Sequence, residues 1–193
     1  MSGRVVVTGG FSYIGAAIAQ ELVQRNYTIH TLTHRQPPPG GTGITCARLR
    51  FEPEHLVREF KGADLFVNTY WVRFPHQGQT FATAVANSRV LLEAAARAGV
   101  GRIVHVSVSK ASAGTNLGYY AGKAEVEALV RASAKSYAII RPTLVVGPAD
   151  VLTNNIAWFL RRFPLFPLPG GGKITVFTTR PSAPMHGPPL RRT

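Results

Sequence analysis

The sequence predicts an α/β protein built on a doubly wound, parallel Rossmann sheet. Short segments rich in β-branched residues alternate with helical patterns through residues 1–148, which is typical of successive β-α-β units. The first of these strands, at residues 4–8, leads directly into a glycine turn and a helix. Right-handed crossovers then place the carboxyl ends of all strands at one edge of the sheet, where such proteins bind their ligands.

The turn after the first strand has the sequence VTGGFSYIG at residues 7–15. Gly9 and Gly15 occupy the outer positions of a TGxxGxxG pattern, and Ser12 stands at the middle one. Glycines let the backbone approach a pyrophosphate, whose charge the N-terminus of the next helix attracts. A glycine-rich turn that binds nothing is the alternative. The predicted dinucleotide contacts are Thr8, Gly9, Ser12, Tyr13, Ile14 and Gly15.

The other elements follow from local patterns along the chain. Helical spacing at 15–26 is followed by an alternating strand at 27–33 and then by the loop QPPPGG, which contains too much proline and glycine for either element. A long alanine-rich helix at 80–98 ends at Gly99, a residue common just after helices. The remaining predicted elements are strands at 44–49, 64–68, 102–107 and 137–141, and helices at 53–60, 119–134 and 154–163.

The pattern changes after residue 148. The stretch 164–189 is rich in proline and contains no acidic residue. We therefore expect an NAD(P)-binding Rossmann domain at 1–148, the start of a substrate-domain segment at 149–172, and a disordered tail at 173–193.

The end of the second strand bears on the choice of cofactor. In dinucleotide folds an acidic residue there binds the free ribose 2′-hydroxyl of NAD, whereas an arginine suits the 2′-phosphate of NADP. No Asp or Glu lies between Glu21 and Glu52, and His34 and Arg35 follow the strand directly. The sequence therefore favours NADP, with NAD possible, unless Arg35 is only a loop cation.

An aromatic segment, TYWVRF at residues 69–74, follows the predicted strand at 64–68. Tyr70, Trp71 and Phe74 lie at the carboxyl end of that strand, where a cofactor or substrate wall is expected. Ordinary core packing explains them equally well, and the sequence does not decide between the two.

A tyrosine and a lysine form the predicted catalytic pair. Tyr119 and Lys123 stand four residues apart at the start of a helix and share one face. A lysine ammonium beside a phenol would lower the phenol pKa and make Tyr119 a general acid/base. Ser107 and Ser109, which follow the fifth strand, could bind the substrate oxygen. The alternative is a surface or core tyrosine with a solvated lysine.

Composition limits the other classes of function. The 193 residues carry a net charge of +13, but the basic residues are scattered, which does not favour nucleic-acid binding. The single cysteine, Cys46, excludes an internal disulfide and a cysteine metal cluster, and no metal site is predicted. No apolar run is long enough to span a membrane. We expect a cytoplasmic protein.

Several of these motifs occur along the chain in the same order as in a known protein family. The chain resembles the extended and atypical short-chain dehydrogenase/reductases, the NAD-dependent epimerase/dehydratase-like group, over residues 3–172. Within that group it is most similar to atypical members related to nucleotide-sugar epimerases and to the nucleotide-binding accessory subunit of respiratory complex I. The matching segments are VTGGFSYIG at 7–15, Asn87 in AVANSRVLLEAA, RIVHVS at 102–107, YYAGKAEVE at 119–127 and AIIRPTLVVGP at 138–148.

The resemblance implies NAD(P) binding, with Tyr119 as catalytic acid/base and Lys123 holding the nicotinamide ribose and tuning Tyr119. A strand-end hydroxyl would orient a small-molecule or nucleotide-linked substrate. The place of the family's catalytic Ser or Thr is Val108 here, so Ser107 or Ser109 would have to substitute. Family members carry small alanines where this chain has Tyr70 and Trp71.

The resemblance ends near Gly172, whereas family members continue into a small carboxyl-terminal substrate domain. This domain is expected to be largely missing here, through a truncation or a reading-frame slip in a GC-rich gene. Two functions follow from the sequence. The first is an NAD(P)-dependent oxidoreductase or epimerase, and the second is a non-catalytic nucleotide-binding module with a structural or regulatory role.

Overall fold

The computed structural model describes residues 3–134, 136–147, 151–163, 165–170 and 173–178. The chain divides into two compact units, Met1–Val145 and Val146–Thr193.

The first unit is a single parallel sheet of six strands with helices between successive strands. The sheet order is β3-β2-β1-β4-β5-β6, and every neighbouring pair is parallel. The strand order reverses between β1 and β4, and the crevice outside the carboxyl ends of these two strands is the usual ligand position in doubly wound folds. The strands are β1 (Arg4–Thr8), β2 (Thr28–Thr33), β3 (Thr45–Arg48), β4 (Leu65–Asn68), β5 (Arg102–Val106) and β6 (Tyr137–Ile140). The helices are α1 (Tyr13–Gln24), α2 (Pro53–Phe60), α3 (Phe81–Arg97) and α4 (Gly118–Ser133).

This architecture confirms the predicted Rossmann fold. Every predicted strand and helix of the first unit is present, with ends within two residues of those expected. Gly99 follows α3 with φ of +76°, the left-handed conformation that a glycine adopts after a helix.

The hydrophobic core lies on both faces of the central strand. Val5, Val6 and Val7 of β1 have no exposed surface. Val6 belongs to the larger cluster, with buried residues of α2, α3 and α4, whereas Val5 and Val7 belong to a smaller cluster packed against α1. A strand covered on both faces explains the uninterrupted run of β-branched residues.

The β6 edge of the sheet is much less covered than its centre. Tyr137 and Ile140, the first and last residues of β6, are 41% and 50% exposed. Among the described residues β6 pairs only with β5.

The second unit contains a helix and a two-stranded antiparallel sheet. The helix is α5 (Val151–Arg162), and the strands are β7 (Leu165–Gly170) and β8 (Lys173–Thr178). The expectation of disorder from residue 173 onward therefore differs from the structure at 173–178. This segment, KITVFT, is rich in β-branched and aromatic residues, a composition that suits a strand, although its proline-rich surroundings suggested otherwise. The rest of the predicted tail, 179–193, lies outside the described residues.

No helix in the described part of the chain is long and apolar enough to cross a membrane.

Candidate functional site

The glycine turn after β1 brings two backbone segments into direct contact. A Cβ atom on Gly15 would lie 2.0 Å from the carbonyl oxygen of Gly9, so no other residue fits at position 15 without moving the backbone. Gly9 itself has φ of +66°, a conformation that favours glycine. The turn is thus the close strand-to-helix junction that a pyrophosphate-binding loop requires.

Ser12 closes this turn in place of the expected middle glycine. Its backbone N–H and its hydroxyl both donate to the carbonyl oxygen of Gly9, at 2.8 and 2.6 Å. Ser12 is the N-cap of α1, but its side chain makes no capping hydrogen bond to the helix. Ala16 is the first residue of α1 whose N–H bonds within the helix, to the Ser12 carbonyl. The N–H groups at 13–15 therefore have no acceptor within the helix, which is the usual condition of helix N-termini that attract anions.

Strand β2 supports the turn through a buried threonine that the sequence did not single out. The hydroxyl of Thr31 accepts from the Gly10 N–H at 2.7 Å and donates to the Val7 carbonyl at 2.9 Å. A Cβ on Gly10 would lie 2.6 Å from this hydroxyl oxygen. Thr31 stands in an ordinary alternating strand pattern, and nothing in that pattern indicated that its hydroxyl supports the glycine turn.

A basic cavity of about 270 Å³ lies at the carboxyl ends of β2 and β3. Arg35 lines it and reaches toward the glycine turn, because its Nη1 donates to the Phe11 carbonyl at 3.5 Å. Arg48, at the end of β3, is a second arginine of the cavity that the sequence analysis missed. The lining residues are Thr33, His34, Arg35, Gln36, Pro37, Cys46, Ala47 and Arg48, none of them acidic.

Hydrogen bonds between Thr8 and the segment after β4 join the ends of the two central strands. The Thr8 hydroxyl accepts from the N–H groups of Thr69 and Tyr70, at 2.8 and 3.1 Å, and donates to Asn68 Oδ1 at 3.2 Å. The hydroxyl of Thr69 in turn donates to the Thr8 carbonyl. Thr8, predicted as a cofactor contact, therefore also fixes the position of the aromatic segment 69–74.

The aromatic residues of this segment have different environments. Tyr70 packs against the larger core cluster, and its hydroxyl accepts from Asn87 Nδ2 at 2.9 Å. Trp71 also packs against that cluster. Phe74 is 71% exposed and belongs to neither hydrophobic cluster of the described residues.

Tyr119 lies in a cluster of aromatic rings. Its ring meets those of Trp71 and Phe81 edge to face, with centroids 5.9 and 5.8 Å apart. Burial raises the pKa of Tyr119 above its ordinary value of 10.0, and nearby Arg73 partly opposes this rise. The four-residue spacing of Tyr119 and Lys123 predicted that the lysine ammonium lowers this pKa. In the structure burial dominates, so Tyr119 is protonated at neutral pH.

Lys123 is buried, and its ammonium group has specific partners. Nζ donates to the Val106 carbonyl at 2.9 Å and lies 4.6 Å from the centroid of the Trp71 ring. Burial lowers the pKa of Lys123 to about 8, while the carboxylate of Glu127 acts in the opposite direction. Lys123 therefore bonds to the end of β5, and among the described residues it has no hydrogen bond to Tyr119.

Ser107 takes part in a hydrogen-bond network around the buried Glu127 that the sequence did not reveal. The Ser107 hydroxyl donates to Glu127 Oε1 at 2.6 Å. Arg141 donates to both carboxylate oxygens, at 2.8 Å from Nε to Oε1 and through Nη2 to Oε2, and Arg131 donates to Oε2 at 3.0 Å. Ser109 has no side-chain hydrogen bond among the described residues. Its backbone N–H donates to the Pro142 carbonyl.

The network holds Glu127 as a carboxylate. Burial of this side chain favours the neutral form, but hydrogen bonds from Arg141, Ser107 and Arg131 outweigh that effect and lower its pKa to about 2. The neighbouring His105 is fully buried, and burial together with the charge of Lys123 lowers its pKa to about 3, so it is neutral. Within the described residues, no group of His, Cys, Asp and Glu side chains could hold a metal ion.

We predict that Gly15→Ala destabilises the protein, because the added Cβ must displace the Gly9 carbonyl. The free energy of unfolding should fall by about 2 kcal/mol or more, measured by urea unfolding. Gly114→Ala is the matched control, since the nearest atom to its added Cβ would be 4.0 Å away. Equal stability of the two variants would show that the turn has room for a side chain.

We predict that Glu127 makes the fold sensitive to acid. Its folded pKa of about 2 lies below its ordinary value of 4.5. Its stabilising contribution is thus complete above pH 4.5 and is lost as the pH falls toward 2. Glu127→Gln should lower the free energy of unfolding at pH 7 by about 3 kcal/mol and flatten its dependence on pH in this range. The exposed Glu125→Gln is the control. If the free energy of unfolding of Glu127→Gln depended on pH as in the unaltered protein, Glu127 would not be the source of the acid sensitivity.

Comparison with known proteins identifies the family. A model of the NAD dependent epimerase/dehydratase family matches residues 5–181. No curated protein sequence matches this chain.

Solved structures support the fold. The chain is similar to the Bordetella bronchiseptica enzyme WbmH in complex with NAD+, with 19% identity over 84% of this chain and 62% of that one, and a TM-score of 0.67. It is also similar to MoeE5 in complex with UDP-glucuronic acid and NAD, with 22% identity over 82% and 60% of the two chains and a TM-score of 0.68. DesIV, a dTDP-glucose 4,6-dehydratase from Streptomyces venezuelae with NAD and TYD bound, shows 23% identity over 82% and 61%, with a TM-score of 0.65.

The chain spans about three fifths of the length of these neighbours. The family match extends from β1 through β8, and it includes the glycine turn and the Tyr119–Lys123 pair. It therefore continues past Gly172, where the sequence predicted that the resemblance ends. This chain belongs to the NAD dependent epimerase/dehydratase family.

Proposed function

We propose that this protein binds NADP, and NAD more weakly, at the turn between β1 and α1 and that it is an oxidoreductase or epimerase of the short-chain dehydrogenase/reductase type. The close contact of Gly15 with Gly9 carries this proposal, because it brings the start of α1 directly against the end of β1. The N–H groups at 13–15 have no acceptor within the helix, and such groups bind pyrophosphates in dinucleotide folds. The neighbouring solved structures that contain NAD support a nicotinamide dinucleotide as the ligand.

The preference for NADP rests on the basic cavity at the ends of β2 and β3. His34, Arg35 and Arg48 line this cavity without an acidic residue. A carboxylate that could accept a hydrogen bond from the 2′-hydroxyl of NAD is therefore missing from the lining, and two arginines suit a 2′-phosphate.

The catalytic proposal assigns the proton to Tyr119. A nicotinamide supplies or accepts a hydride when bound. Tyr119 is protonated at neutral pH and donates its hydroxyl hydrogen to a substrate carbonyl oxygen in the reductive direction. Lys123, held at the end of β5 by the Val106 carbonyl, has further N–H donors to bind a ribose hydroxyl.

Two serines compete for the role of substrate-binding hydroxyl. Ser107 donates its single hydroxyl hydrogen to Glu127. It can donate a hydrogen bond to a substrate oxygen only after its bond to Glu127 is broken. Ser109 has no such side-chain bond among the described residues. We therefore propose Ser109 as the donor, with Ser107 anchoring α4 to β5 and contacting substrate only as an acceptor.

The proposed substrate is a small or nucleotide-linked alcohol or carbonyl compound. Structural neighbours bound to UDP-glucose, UDP-glucuronic acid or UDP support the nucleotide-linked class. The single Cys46 suits a reducing compartment, and we propose that the protein acts in the cytoplasm.

A non-catalytic nucleotide-binding module is the second candidate. One observation favours it, namely that both Lys123 and Ser107 already have buried partners, Val106 and Glu127. In such a module the same groups would stabilise a binding platform without turnover.

The cofactor preference predicts a selective effect of Arg35→Ala. This variant should bind NADPH at least about tenfold more weakly, because an arginine–phosphate hydrogen bond contributes about 1.5–3 kcal/mol, and should bind NADH almost as before. Fluorescence titration of each dinucleotide measures both constants. Arg102→Ala, at the amino end of β5, is the control. Failure of the unaltered protein to bind either dinucleotide would contradict the proposed function.

The catalytic role predicts that Tyr119→Phe binds NADPH normally but loses turnover. The loss in kcat should be about 100-fold or more, as is typical when a general acid/base is removed. Oxidation of NADPH with a panel of small carbonyl compounds and nucleotide sugars provides the assay. Tyr120→Phe is the matched control on the same helix. Equal turnover in Tyr119→Phe and the unaltered protein would exclude Tyr119 as the acid/base. If both proteins bound NADPH but neither turned over any substrate, the non-catalytic nucleotide-binding module would be favoured.

A further inference from the structure

Trp71 lies where both members of the Tyr119–Lys123 pair meet the segment after β4. Its indole ring touches Lys123, Tyr119 and Phe81, with a centroid-to-Nζ distance of 4.6 Å and centroid-to-centroid distances of 5.9 and 6.1 Å. The Phe81 ring is nearly parallel to it, at 7°, and the Tyr119 ring is perpendicular. One side chain therefore contacts both proposed functional groups.

The sequence of α4 lets this helix approach the ring closely. A Cβ on Gly122, between the two functional residues, would lie 2.9 Å from Cη2 of Trp71 and 3.4 Å from its Cζ2. Gly122 is buried and lies inside α4, one turn after its start. A glycine inside a helix lowers helix stability by about 1 kcal/mol relative to alanine. The contact with Trp71 provides a physical reason for that glycine.

The Trp71 ring also faces the ammonium group of Lys123, which has few other partners among the described residues. Lys123 is 3% exposed, and the Val106 carbonyl is its one hydrogen-bond acceptor among the described residues. Glu127, one turn further along α4, is already bound by Ser107, Arg141 and Arg131. His105 on β5 is neutral and offers no negative charge. The π face of an indole stabilises a buried ammonium at this distance.

We propose that Trp71 is a positioning residue for the proposed catalytic pair. Its ring holds the ammonium group of Lys123 by a cation–π contact, and its edge-to-face contact with Tyr119 fixes the phenol on the same face of α4. The catalytic part of this inference rests on the proposed function, whereas the contact between Trp71 and Lys123 is testable without it. An aliphatic residue of similar size would fill the space but would not stabilise the charge.

The first experiment leaves Trp71 in place. The chain has two tryptophans, so Trp158→Phe makes Trp71 the only indole that reports fluorescence. Its emission should change with pH and follow the ionisation of Lys123, and this step should disappear when Lys123→Met is added. An emission profile that is the same with and without Lys123→Met would overturn the proposal.

The second experiment removes the π face. In the full chain labelled with ¹³C-lysine, the Lys123 resonance is assigned by its loss in Lys123→Met, and its pKa is measured by titration. Trp71→Leu should lower this pKa by about 0.5 or more, because the charged form loses its cation–π partner. Trp71→Phe should restore most of the difference. A pKa in Trp71→Leu equal to or higher than that of the unaltered protein would overturn the proposal.

Kinetics then separate positioning from cofactor binding. With the substrate that shows turnover, Trp71→Leu should reduce kcat at least about tenfold while the dissociation constant of NADPH changes less than threefold, and Trp71→Phe should recover much of kcat. An unchanged kcat in Trp71→Leu would overturn the catalytic part. Failure of the unaltered protein to bind a dinucleotide would instead overturn the proposed function, while the fluorescence and NMR titrations would still decide the contact.

Discussion

The approach of Gly15 to the Gly9 carbonyl is the constraint on which the proposed binding site depends. Because no Cβ fits between them, α1 begins directly against the end of β1, and the N–H groups at 13–15 lie at this end of the helix. Neighbouring polar groups make this contact stable. The two donors of Ser12 converge on the Gly9 carbonyl, and the Thr31 hydroxyl joins Gly10 to Val7. The substitution of serine for the family's middle glycine therefore closes the turn and does not disrupt it.

The other half of the site depends on how α4 is attached to the sheet. Glu127 receives hydrogen bonds from Ser107 and Arg141, which follow β5 and β6, and Lys123 donates to the Val106 carbonyl at the end of β5. These bonds draw the start of α4, with Tyr119, toward the carboxyl edge of the sheet. The same edge carries the glycine turn and the basic cavity, so a ligand across the β1–β4 crevice would meet both halves.

Much of this arrangement could be predicted from local sequence patterns. The β-branched run at Val5–Val7, the glycine turn and the position of Arg35 all depend on neighbours within a few residues, and the structure contains each of them. What could not be predicted depends on contacts between distant segments. Ser107 and Glu127 are 20 residues apart, and Arg48 joins Arg35 in one cavity only because β2 and β3 pair. The pKa of Tyr119 shifts upward because Trp71 and Phe81 help to bury it, which no spacing of Tyr and Lys reveals. Strand β8 lies in a stretch whose composition suggested disorder.

Amide hydrogen exchange with and without saturating NADPH tests the central claim most directly. The account predicts that NADPH slows exchange at the backbone amides of residues 12–16, where the glycine turn joins α1, and at residues 33–36 beside the basic cavity. Peptides covering residues 98–102, where α3 leads into the amino end of β5, serve as the internal reference. Saturable binding of NADPH that leaves exchange at 12–16 unchanged would contradict the account, because the dinucleotide would then bind elsewhere on the protein.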